Sequence, residues 1–345
     1  MNSSPDAWNL EWAHGRFDVF SVGGMLGNVI LRLGSQDLKP FYDAPWLSEP
    51  AAEAPGVLAN LRSEFPCAPF GLPWPAESVE EAWKQCLTEQ SIDGDETLDA
   101  TDDLLHGYAS TASWTLVQKT ELEIEIAIDY PPTSSISRLV RVIRADPECP
   151  AIDLSLQIEA RRKCRRPIGL HPNLKLPMIE RTFRIEPGKF RFGMVHPGGP
   201  EPGISKAQPG ALFDRLNWVP MCDERTDTFD LLPFAHDTEE ILQLCGTDGT
   251  VVLTDENADI SYKLSWDSAV LPSLLLWVSN RGRSAAPWNN RNLCVGVEPI
   301  ASAFELGSRA SLAANPINQR GEPTAVAVEP GNPVKIAYRF EVLKP

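Results

Sequence analysis

Glu121-Leu122-Glu123-Ile124-Glu125-Ile126-Ala127-Ile128-Asp129 sets Leu122, Ile124, Ile126 and Ile128 against Glu121, Glu123, Glu125 and Asp129, residue by residue. A helix would scatter these side chains around its axis. A period of two is what a strand with one buried and one wet face requires. The same alternation returns in Ile152, Leu154, Leu156 and Ile158, in Ile260, Tyr262, Leu264 and Trp266, and in Val334, Ile336, Tyr338, Phe340 and Val342. One-sided strands distributed to the end of the chain imply antiparallel sheets packed face to face, an all-β fold. No interval alternates strand with helix in the manner of a parallel α/β sheet. Pro 31 and Gly 23 in 345 residues argue against long helices. The best helix candidate, Glu77 to Glu89 (ESVEEAWKQCLTE), is short and expected at the periphery. Val195 to Gln208 (VHPGGPEPGISKAQ) reads as a long ordered loop. Neither an internal repeat nor a low-complexity linker interrupts the chain, so residues 1–345 are expected to form one domain.

Composition narrows the function classes. A hydrophobic fraction of 43% and a charged fraction of 23% are those of a soluble globular protein. Lys+Arg 31 against Asp+Glu 47 give a net charge of −16, which disfavours nucleic acid and anionic membrane as partners. Met1-Asn2-Ser3-Ser4-Pro5-Asp6 lacks the pattern of a signal peptide, and the apolar stretch from Leu271 to Val278 is too short to span a bilayer, so a cytoplasmic location is expected. Seven scattered cysteines, with no C-x-x-C pair and no His at zinc-ligand spacing, read as reduced and mostly buried thiols rather than as a metal site. Gly23-Gly24-Met25-Leu26-Gly27 lacks the helix context and lysine of a nucleotide loop. No cofactor is expected.

Acid–base candidates are few. Of five histidines, His106 lies in the turn-like Leu105-His106-Gly107-Tyr108, and His171 in Gly169-Leu170-His171-Pro172-Asn173, where a strand meets a proline. His14 and His236 have no such context. Glu298 ends an apolar run, Leu293-Cys294-Val295-Gly296-Val297-Glu298-Pro299, where desolvation would raise its pKa. Trp277 and Trp288 flank Asn280-Arg281-Gly282, and aromatic rings beside polar side chains suit the apolar faces and hydroxyl edges of a sugar. The basic run Arg161-Arg162-Lys163-Cys164-Arg165-Arg166 could hold an anion, although a solvated sheet edge accounts for it more simply.

Several of these segments, in order, resemble the galactose mutarotase-like superfamily, which includes aldose 1-epimerases and hexose-6-phosphate mutarotases. Val22-Gly23-Gly24-Met25-Leu26-Gly27-Asn28-Val29-Ile30-Leu31 with Ala44-Pro45-Trp46 is similar to the opening hairpin. Arg62-Ser63-Glu64-Phe65-Pro66-Cys67-Ala68-Pro69-Phe70-Gly71 resembles the arginine-bearing segment. His106-Gly107-Tyr108 with Trp114 resembles the His-Gly-aromatic segment, and His171-Pro172-Asn173 stands at the second histidine. Trp277, Pro287-Trp288 and Val297-Glu298-Pro299 match the segment carrying the glutamate, and Val328-Glu329-Pro330-Gly331 resembles the closing hairpin.

The resemblance implies an antiparallel β-supersandwich with few short peripheral helices, a monosaccharide substrate, and interconversion of its α and β anomers by acid–base ring opening. By position Glu298 is the base and His171 the acid, meeting at opposite edges of a pyranose-sized hollow. His106, Arg62 and Trp277 would bind substrate. Asp230 and Asp237 are candidates for the aspartate with which galactose-type members hold the sugar. The chain reads His-Pro-Asn where many members carry an aromatic pair. It has Ser110 where the sugar-phosphate branch resembles His-Gly-x-Ala-Arg, which argues against a phosphate ester. The alternatives are a non-catalytic carbohydrate-binding or regulatory protein on the same fold, or a lyase or glycoside hydrolase. A glycosidase would need two carboxylates across the cleft, of which the sequence offers only Glu298.

Overall fold

The structure, a computed structural model, describes residues 7–49, 54–88, 92 and 97–343. The alternating segments all become strands of one nine-stranded sheet. Glu123–Asp129, Ile136–Ala145, Ala151–Ala160, Val334–Leu343 and Ile260–Trp266 lie side by side in it. Register keeps like with like: Ile152 faces Phe340, Leu154 faces Tyr338 and Leu156 faces Ile336 across an antiparallel pair. Their apolar side chains bury against a second sheet of eight strands, and the two faces share one core. A four-stranded meander, Ala7–Trp12 to Gln36–Leu38, adds Phe17, Val19 and Leu31 to that core.

The second sheet behaves differently. Thr238–Cys245, Ser273–Asn280 and Leu293–Ala301 are buried at every position. Alternate residues still point opposite ways. Leu242, Leu244, Leu274, Leu276, Val295 and Val297 join the core between the sheets, whereas Ile241, Cys245, Leu275, Trp277, Cys294 and Ile300 join a separate apolar cluster on the outer face. Loops and short helices cover that face, so these strands carry no wet side for a sequence pattern to reveal. Glu298 shares parity with Cys294 and Ile300, which directs it to the outer face and away from the sandwich core.

The segment expected to be one helix is three pieces. Ala76–Ser78 and Gln85–Leu87 are 3₁₀ turns, with the α-helix restricted to Glu81–Lys84 because Val79 is extended. Its last residue, Glu89, lies outside the described residues. A second helix, Gly307–Leu312, had no visible pattern, since only Arg309 among its residues is not buried. The loop expected from Val195 begins where the strand Phe192–Val195 ends. No helix among the described residues is long and apolar enough to cross a membrane. Of the cysteines, Cys222 is exposed, Cys149 half-buried, and Cys67, Cys86, Cys164, Cys245 and Cys294 are buried. The basic run does not form an open anion site. Arg161 donates to the carbonyls of Ser134 and Ile136, Arg166 is buried against Asp102 at 2.9 Å, and Lys163 pairs with Glu329 at 2.7 Å.

Candidate active site

Pairing between strands brings the first two candidates together. His171 follows the strand Ile168–Leu170, and its N–H is taken by the Phe65 carbonyl. Proline at 172 leaves a free carbonyl that accepts from the Val297 N–H, and Asn173 then pairs opposite Gly296. The histidine is thereby fixed beside Glu298. His171 Nε2 stands 3.5 Å from Glu298 Oε1, with both side chains buried. Gly296 makes room: a Cβ there would lie 2.2 Å from Glu298 Oε1.

His106 arrives from a turn whose backbone only glycine completes. Gly107 has φ +78 and a Cβ on it would lie 2.2 Å from the Ala68 carbonyl oxygen. The His106 N–H donates to the Gly71 carbonyl, and Nδ1 accepts from the Gly71 N–H at 3.4 Å, so Nε2 carries the ring proton. The His106 ring sits edge-on to His171, centroids 5.0 Å apart, and Phe65 stacks on His171 at 4.6 Å while lying 5.9 Å from the His106 ring.

These side chains form the floor of a cavity of about 470 Å³, the size class of small-molecule sites. Trp74, Trp277 and Trp288 supply apolar wall, with Glu305 and Arg283 beside them. Trp277 Nε1 donates to Glu239 Oε1 at 2.6 Å, and Ser279 Oγ donates to the other Glu239 oxygen at 3.0 Å. Arg283 lies over the Trp288 ring at 4.9 Å and 3.2 Å from Glu239. A larger groove of about 900 Å³ runs beside the N-terminal meander, but none of the paired acid–base side chains lines it.

Burial dominates the electrostatics. It pushes the Glu298 carboxyl well above the usual carboxylate range, with Glu305 adding in the same direction. It pushes His171 well below its ordinary value, His106 contributing, and His106 itself down to about 4. Burial would also raise Glu305, yet His196, 3.1 Å away, together with the backbone and His106 holds it below the usual range. His171 Nδ1, Glu298 Oε1 and both Glu305 carboxyl oxygens are buried without a well-aligned hydrogen bond from the protein. The floor therefore offers unfilled polar capacity in an apolar surround.

Glu298, His171, His106 and Trp277 meet as expected, and Trp288 with them. His171 and Glu298 stand side by side rather than at opposite edges of the cavity. Arg62 and Asp230 do not line the cavity. Leu61 and Phe65 turn into it, while the Arg62 guanidinium lies over the Phe20 ring at 3.9 Å and donates to the Asn60 carbonyl. Asp230 precedes the edge strand Leu231–Leu232 of the other sheet, its carbonyl accepting from Ile185. Asp237 pairs with Arg281 at 3.1 Å, also off the cavity. Glu239, Arg283, His196 and Glu305 were not expected at the site. Glu305 had a legible signal, since Ala303-Phe304-Glu305-Leu306 is a carboxylate among apolar neighbours, the context that singled out Glu298.

No protein-family profile matches the sequence. No curated protein sequence matches it either. Solved structures do. A candidate aldose 1-epimerase from Escherichia coli K12 superposes with TM-score 0.65 at 13% identity, covering 99% of this chain and 100% of that one. The Slr1438 protein of Synechocystis sp. PCC 6803 gives TM-score 0.65 at 12% identity over 99% and 97% of the two chains. A GalM/aldose epimerase homologue from C. elegans gives 0.62 at 11% over 99% and 99%. At such identity the likeness is one of architecture. The chain has the galactose mutarotase-like fold.

Proposed function

We propose that the chain is an aldose 1-epimerase-type mutarotase that interconverts the α and β anomers of an aldose. The 3.5 Å contact of His171 Nε2 with Glu298 Oε1 on the floor of a monosaccharide-sized cavity carries this reading. In a cyclic aldose one carbon bears both the anomeric hydroxyl and the ring oxygen. A proton acceptor and a proton donor serving that carbon must therefore be neighbours. Glu298 takes the proton from the hydroxyl while His171 gives one to the ring oxygen. The bond from the anomeric carbon to the ring oxygen breaks, and a free aldehyde forms. Rotation and reclosure, with the protons returned, yield the other anomer. The pair begins and ends with one shared proton.

Before a sugar binds, burial favours that proton on the carboxyl. Sugar hydroxyls restore hydrogen bonds to the site and favour the carboxylate–imidazolium arrangement from which the reaction starts. His106 Nε2 donates to the sugar, and the Trp277 ring supports its apolar face.

Saturation-transfer NMR on freshly dissolved sugars tests the activity. An anomerisation rate unchanged by protein across a broad panel would sink it. Thermal stabilisation by the same sugars without turnover would then mark a carbohydrate-binding protein. The pH dependence follows from the shared proton. The working state is lost when His171 gains a second proton or Glu298 loses its own, and burial lowers the first event and raises the second. We expect the acid limb, set by His171, to fall well below the ordinary imidazole value of 6.5, and the alkaline limb, set by Glu298, to lie well above the ordinary carboxylate value of 4.5. An acid limb at 6.5 or above would exclude a desolvated pair.

Gly296→Ala tests the geometry without touching an ionisable group. The new methyl would displace the Glu298 carboxyl, the movable end of a side chain. Stability should change by less than about 1 kcal/mol, since alanine suits a strand at least as well as glycine. Turnover should fall about 10²-fold, as for a roughly 1 Å misplacement of a reacting group.

A further inference from the structure

We propose that Glu305 is the specificity-determining residue of the cavity: it accepts a hydrogen bond from a second polar group of the sugar, an O–H or N–H donor, and turns away anionic sugars. This rests on the mutarotase reading of the same cavity.

The carboxylate is placed by a chain of fixed contacts. The Gly198 N–H donates to His196 Nδ1 at 3.1 Å, which leaves the ring proton on Nε2. That nitrogen faces Glu305 Oε1 at 3.1 Å. The His196 ring is wholly buried between Trp74, 4.7 Å away, and Phe304, 5.3 Å away, and cannot swing aside. The carboxylate is anchored from behind, yet neither of its buried oxygens receives a well-aligned hydrogen bond from the protein. Such a group costs free energy until a donor reaches it. A hydroxyl or an ammonium supplies that donor; a phosphate or carboxylate brings a like charge.

Nothing else lining the cavity offsets this preference. Arg283 is its one lining Lys or Arg among the described residues. It is already matched by Glu239 at 3.2 Å and Glu201 at 3.7 Å. Burial holds His106 neutral, and His171 and Glu298, sharing one proton, carry no net charge between them.

The test is equilibrium binding, which does not depend on turnover. Calorimetry with glucose, glucosamine below its amine pKa, glucose 6-phosphate and glucuronate should rank both anions at least about 10-fold weaker than glucose. Glu305→Gln keeps the shape and removes the charge. It should weaken glucose and bring the anions to within about 3-fold of it. His196→Gln should move the same ratio in the same direction by less, which a merely structural role would not do. Tighter binding of glucosamine than glucose, lost in Glu305→Gln, assigns the donor as an ammonium; equal or weaker binding assigns a hydroxyl. Selective binding without anomerisation would uphold this inference and sink the mutarotase reading. Anions bound as well as glucose by the unaltered protein, a ratio unmoved in Glu305→Gln, or no binding of any of the four sugars would overturn it.

Discussion

Glu298→Gln should leave a folded protein that no longer speeds anomerisation, with a loss of about 10²–10⁴-fold, the range for removing one positioned acid–base group. The substitution is close to isosteric, and Gln cannot exchange a proton with the anomeric hydroxyl. Stability should hold or improve, because burial already penalises the carboxylate at this position. Rate by saturation-transfer NMR and midpoint by thermal unfolding separate the possibilities. A folded variant at full rate would show that another group is the base. Loss of both fold and rate would make Glu298 a structural residue.

Arg141→Met should weaken the fold far more than Glu298→Gln or Gly296→Ala, by about 3–5 kcal/mol, the effect of removing one partner of a buried ion pair. Arg141 is fully buried and paired with Glu64, which is 2% exposed. It also donates to the Gly24 carbonyl at 2.5 Å and to the Tyr338 hydroxyl at 3.2 Å, while that hydroxyl donates to Glu64 at 2.8 Å. Methionine fills much of the space but leaves the Glu64 carboxylate without its counter-charge. Denaturant unfolding should show a lower midpoint with little change in slope. Adding Glu64→Leu to Arg141→Met should recover most of the loss, because the pair's removal need not cost what its breakage does. Additive losses instead would mean that each side chain acts alone.

How far the fold could be read depended on which strands have a wet side. The nine-stranded sheet keeps one, so Ile152 to Ile158 and Ile336 to Val342 announced themselves by alternation. The eight-stranded sheet has none, and Thr-Glu-Glu-Ile-Leu-Gln-Leu-Cys, residues 238–245, hides Glu239 and Gln243 on the outer face among uniformly buried neighbours. Arg141 was more legible than it looked. It falls in step with Leu139, Ile143 and Ala145 on a buried face, and a charge in that register implies a buried partner. His171, His106, Trp277 and Glu298 were legible because backbone pairing determines where they point. Arg62 was not: a long side chain in a loop follows its local surroundings, which for this residue are the Phe20 ring and the nearby charges of Asp43 and Asp18. Asp230 and Asp237 had no local pattern to tell them apart, and the topology takes the Asp230 segment to the opposite sheet.

His171 and Glu298 are held by a hydrogen-bonded lattice of strands, whereas Trp74, Trp288 and Glu305 come from connecting segments. On the mutarotase reading, substitutions in those segments would alter which sugar is admitted while Glu298 and His171 keep their places.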